Sequence, residues 1–180
     1  VFRPFCVGKT GTQGEKQQIP NTKFQKEKMT AVEIKTELLQ HCQKQVDNRY
    51  SKIKQTIADI EESLLEESKS SSGDKHETGR AMLQIDRENA GKQLQEIEKI
   101  VQLLKKIDVN ATSDYARLGS LVYTDKFTYF ISISIGNVTI GRSDYLCVAL
   151  NSPVGLLLSG KKKGDEFSFN GNGYKITSVK

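Results

Sequence analysis

The sequence predicts an α+β chain: an N-terminal antiparallel coiled-coil hairpin of two long helices, then a small antiparallel β-sheet domain with one short helix. Three observations carry this. Apolar residues recur at spacings of three and four from residue 30 to 67, and again up to residue 107. A polar break, "SSSGDKHE", separates the two runs. After residue 112 the pattern changes to short alternating segments rich in β-branched and aromatic residues.

Residues 1–28 show no sustained hydrophobic period and are rich in Gly, Gln and Lys, the composition of a disordered extension. Met29 opens the periodic segment abruptly. It is the expected biological start, with the preface an over-called upstream extension; a basic tail that touches an acidic partner is the functional alternative. "GKTGTQG" in this preface lacks the G-x-x-x-x-G-K-[ST] frame of a phosphate-binding loop.

In the first helix, expected over Thr30 to Glu67, the seam reads Leu39, Cys42, Val46, Tyr50, Ile53, Ile57, Ile60 and Leu64. The second, from about Glu77 to Ile107, carries Ala90, Leu94, Ile97, Val101 and Leu104, with Met82 and Leu83 extending the stripe towards the break. A connection of under ten residues folds two such helices back on each other, giving a hairpin over 29–108 with its tip near 68–77. A dimerising coiled coil has the same period and stays open as the alternative; a monomer is expected. At about 1.5 Å per residue the second helix is ~45 Å long, so the break sits at the end of a thin rod.

Residues 112–180 form the sheet domain. "SLVYTD" and "FTYFISISI" read as half-buried strands, and Gly136-Asn137 in "SIGNVTIG" as a hairpin break. "SPVGLLLSG" reads as a short helix with Pro153 in its first turn, and "GDEFSFNGNGYKITSV" as strand, glycine-rich turn, strand.

Composition narrows the function. Hydrophobic content of 36% is lean for a single core in 180 residues. The net charge is +5, of which residues 1–28 hold +4, so independent nucleic-acid binding is not the default. Cys6, Cys42 and Cys147 are far apart and outside any CxxC arrangement, which fits buried thiols in a reducing cytoplasm. His41 and His76 lack partners at zinc-ligand spacing. The apolar runs are too short to span a bilayer, and the opening residues lack the charged, apolar and small-residue pattern of a secretion signal, so a soluble intracellular protein is expected.

The break itself has two readings. Asp74 followed by Glu77 matches a capping box, with Asp74 accepting backbone N–H bonds and Glu77 reaching back. Alternatively, two carboxylates at the end of a rigid rod offer hard oxygen ligands to a magnesium ion whose other ligands come from a partner. Lys75 and His76 beside them either contact a phosphate or partner or are simply solvated.

A long antiparallel coiled coil with "GD-x-x-E" at its tip, followed by "SPVGLLLSGKKKGDEF", resembles the Gre-type transcript-cleavage (transcription elongation) factors of bacterial RNA polymerase. Ser152, Pro153, Gly155, Leu158, Gly160, Lys161, Gly164 and Asp165 follow that family's "SP-x-G-x-x-LL-x-G-x-x-x-GD" pattern with small shifts. With the hairpin, the resemblance covers nearly everything after Met29.

The resemblance implies an FKBP-like C-terminal domain that docks on RNA polymerase, with Ser152, Pro153, Gly155, Gly160 and Lys161 as partner-binding residues. It implies a coiled coil that enters the secondary channel. Asp74 and Glu77 would then help hold the second Mg ion of the polymerase, which itself cuts backtracked RNA near its 3′ end. The chain is in this reading a cofactor of catalysis, with no turnover and no cofactor of its own. Where the family commonly has "GDLKEN", this sequence has "GDKHET". Related channel-binding proteins with altered tips inhibit the polymerase, so a regulator without cleavage activity is the first alternative and a coiled-coil interaction protein the second. Prolyl isomerase activity, a third class for an FKBP-like domain, is disfavoured because residues 112–180 contain no Trp and their aromatics alternate as core and surface strand residues do.

Overall fold

The first helix starts at a reciprocal cap. The Thr30 hydroxyl accepts the Glu33 N–H at 3.2 Å, while Glu33 Oε2 accepts the Thr30 N–H at 2.7 Å, satisfying two donors that a helix start leaves free. From there α1 (Ala31–Lys69) runs 39 residues with neither proline nor glycine. The second helix, α2 (Asp74–Leu104), runs 31. At about 1.5 Å per residue they measure ~58 and ~46 Å. The computed structural model describes residues 29–69 and 74–180, apart from the side chains of 68, 69 and 74–76. The expected extension at 1–28 and the turn at 70–73 lie outside the described residues.

The helices lie antiparallel. Val46 shares a groove with Val101 and Leu104, Arg87 Nη2 reaches Glu61 Oε1 at 2.8 Å, and Gly79 faces the Glu67 carboxylate. Partners thus descend along α2 as they rise along α1. Among the seam positions of α2, Leu83 is half-buried and Met82 is exposed, so the stripe runs through Leu83 alone.

The sheet is six-stranded, in the order β3-β4-β2-β1-β6-β5. Its strands are β1 (Leu121–Thr124), β2 (Thr128–Ser132), β3 (Gly136–Ile140), β4 (Ser143–Ala149), β5 (Glu166–Phe169) and β6 (Asn172–Val179). One short helix, α3 (Pro153–Leu158), links β4 to β5. The sheet is mostly antiparallel, but β2 and β4 run parallel, with Phe130 opposite Cys147 and Ser132 opposite Ala149. This corrects the expectation of a wholly antiparallel sheet and of a hairpin at Gly136-Asn137. At φ +82° Gly136 turns the chain out of β2's line, a conformation that glycine adopts without a Cβ penalty. β3 then pairs with β4 through a turn at Gly141 and Arg142, and β4 takes the place beside β2.

Both faces of the sheet centre are covered. In β1 and β2, Leu121 and Phe130 pack with the helices, while Val122, Tyr129 and Ile131 pack on the other side with Leu158, Phe167 and Ile176. The two-residue alternation of a strand therefore sends apolar groups into two cores, which is why "YFISI" reads as nearly continuous. The core under the helices includes Ile34, Leu38, Cys42 and Val46 of α1 and Ile97 and Leu104 of α2. The base of the hairpin and the sheet thus share one core. Lys35, also buried there, donates from Nζ to the Ala111 carbonyl at 3.0 Å and ties α1 to the segment after α2. Among the described residues no helix is long and apolar enough to cross a membrane.

Candidate functional site at the hairpin tip and the α3 surface

Burial along the hairpin isolates its far end. On α1, Ile34, Leu38, Cys42 and Val46 are buried, whereas Tyr50, Ile53, Ile57, Ile60 and Leu64 are only half-buried. The reason is geometric: at the base the sheet provides a second wall, and beyond Tyr50 each helix packs, among the described residues, only on the other. The 20 residues from Tyr50 to Lys69 thus form a free rod of about 30 Å.

Asp74 is the first residue of α2 and Glu77 lies three residues on, so both occupy one turn at the outer end of the rod. Residues three apart share a helix face, and negative charge in the first turn is favoured by the helix dipole. Glu77 is exposed. The capping contact expected of the Asp74 side chain, and the side chains of Lys75 and His76, lie outside the described residues. Between residues 58 and 67, α1 adds Asp59, Glu61, Glu62, Glu66 and Glu67 with no basic residue. The Glu67 carboxylate lies against Gly79, where a Cβ would stand 2.9 Å from Oε1, so the helices approach closely just below the tip.

Among the described residues no group of three or more His, Cys, Asp or Glu is placed to hold a metal ion. Two carboxylates are by themselves too few for a magnesium shell.

The second surface is built around α3. Ser152 caps it: its hydroxyl accepts the Gly155 N–H at 3.1 Å and donates to the Ala149 carbonyl at 2.6 Å. Pro153 takes the first helical position, where its missing N–H costs nothing. Gly155 is buried where a Cβ would meet the Ala149 carbonyl oxygen at 2.0 Å, so no other residue fits. Gly160, at φ +75°, donates to the Ala116 carbonyl at 2.8 Å, and the Lys161 carbonyl accepts the Ala116 N–H at 2.7 Å. These five residues hold the α3 turn in shape. What the turn presents outward is Leu156, 66% exposed, and Leu157, 37% exposed. Reading "SPVGLLL" as a motif missed that pair, although a helical turn that buries Gly155 and Leu158 necessarily leaves the two residues between them outside.

Four aromatics also meet. Phe167 stacks on Tyr174 with ring centroids 5.0 Å apart, Tyr129 and the half-exposed Phe127 complete the group, and Lys126 Nζ sits 4.9 Å from the Tyr174 ring centre. Burial pushes the Tyr129 hydroxyl up to about 12, so it stays protonated across the physiological range. In comparisons with known proteins, no family model and no curated protein matches this chain.

Proposed function

We propose that the chain is a Gre-type transcript-cleavage factor: a protein of the bacterial cytoplasm whose FKBP-like sheet domain binds RNA polymerase and whose coiled coil enters the secondary channel. The observation that carries this reading is the placement of Asp74 and Glu77 in one turn at the end of a rod whose base is built into the sheet's core. Such a rod delivers two carboxylates to a site too narrow for a globular domain. There they share the second Mg ion of the polymerase, and the water-mediated cut of the RNA belongs to the polymerase. The α3 surface suits docking, because it projects two exposed leucines from a turn that glycine and proline keep rigid.

RNA cleavage in backtracked elongation complexes tests this, with wild type and with Asp74→Asn plus Glu77→Gln. Amides retain much of the capping capacity and remove the charge that magnesium requires. Wild type is expected to accelerate cleavage, and the double variant to bind equally well without accelerating it. Equal acceleration by both proteins would overturn the role of the tip. Binding without acceleration by either would favour the non-cleaving channel regulator, for which the departure "GDKHET" is the supporting observation.

A further inference from the structure

Two buried thiols lie in the core that joins hairpin and sheet. Cys42 of α1 is 0% exposed and Cys147 of β4 is 1% exposed, and both belong to the core shared by helices and sheet. Cys42 Sγ lies 3.4 Å from the Ser132 hydroxyl. Ser132 and Cys147 stand on adjacent parallel strands, two residues apart in register, on the face that α1 covers. The three side chains form one polar cluster in an otherwise apolar layer. Ionisation of one thiol shifts the other: the hydrogen bond between them, ahead of burial, holds Cys147 well above the ordinary thiol range, and the same bond lowers Cys42.

We propose that Cys42 and Cys147 are a redox pair that closes to an intramolecular disulfide under peroxide stress and staples the hairpin base to the sheet. When α1, its helical hydrogen bonds intact, shifts far enough from β2 and β4 to admit a peroxide, the Cys42 thiolate attacks a peroxide oxygen. The O–O bond breaks, one oxygen leaves as water after protonation, and Cys42 becomes a sulfenic acid. Cys147 as thiolate then attacks the Cys42 sulfur; the S–S bond forms and the sulfenic oxygen leaves as a second water. Two thiols lose two electrons and two protons, and one peroxide becomes two waters. Cys42 attacks first because Ser132 and Cys147 both donate to its thiolate. The reduced junction depends on packing and a few hydrogen bonds, whereas the oxidised junction has a covalent tie that spans most of the described chain. A tie across so long a loop restricts the unfolded chain strongly.

The test uses the full chain carrying Cys6→Ser, so that no third thiol confuses the pairing. Reduced protein is exposed to hydrogen peroxide, remaining thiols are alkylated in denaturant, and the product is digested without reductant. The expected result is a monomer containing a Cys42–Cys147 linked peptide, with an unfolding midpoint raised by about 5 °C or more and restored by dithiothreitol. A variant with Cys147→Ala as well should show no such rise. Full alkylation of both cysteines after exposure, their separate oxidation without a cross-link, or a cross-link that leaves the midpoint unchanged or lowers it would each overturn the proposal.

Discussion

The two halves of the hairpin are continuous in sequence period and differ in what supports them. From Ile34 to Val46, α1 packs on both α2 and the sheet, and four of its apolar side chains are buried. From Tyr50 to Leu64 the period persists, but its apolar residues are half-buried because, among the described residues, only α2 covers them. A seam of constant spacing therefore yields an anchored base and a lean arm. The difference is what the proposed channel-inserting role requires: a fixed handle and an end that fits a narrow space.

The largest effect is expected from truncating the base. Leu38→Ala removes a fully buried side chain and should cost about 3–5 kcal/mol, whereas Ile57→Ala in the arm should cost about 1 kcal/mol or less. Urea unfolding of the two variants measures this directly, and equal losses would erase the distinction between the halves. A further effect at the base concerns pH. Burial, followed by repulsion from Arg117, lowers the Lys35 ammonium below its ordinary 10.5. Between that lowered value and 10.5 the unfolded chain binds the proton more readily, so stability rises with pH through this window; below it the full penalty of the buried charge is present. Lys35→Met should abolish that rise, as read from unfolding midpoints across alkaline buffers.

Thr30→Ala breaks the cap at the handle and should cost about 1 kcal/mol in urea unfolding. The smallest change is predicted in the arm, where Glu61 and Arg87 are about half exposed. Removing that pair with Arg87→Ala should cost roughly 0.5 kcal/mol or less and diminish further in high salt.

The helices, the short α3 and the β5–β6 hairpin were legible because each rests on local signals: period, an N-terminal proline and a glycine-rich turn. What escaped was non-local. Ile34 and Leu38 fell outside the expected seam because they face the sheet, whose position the period of one helix does not encode. The parallel pairing of β2 with β4 depends on where the β3–β4 hairpin returns, and Gly136 marks a change of direction without saying which strand lies alongside. The reciprocal cap at Thr30 is legible as "TAVE", the Thr-x-x-Glu pattern of a capping box. Leu156 and Leu157 became visible only once Gly155 and Leu158 were seen to be the buried side of α3.

Amide hydrogen exchange along α1 tests the anchored handle and lean arm most directly. Amides around residues 38–46 are expected to exchange only with global unfolding, and those beyond residue 57 to exchange progressively faster through local opening. Uniform protection along all of α1, or weaker protection at the base than in the arm, would contradict it.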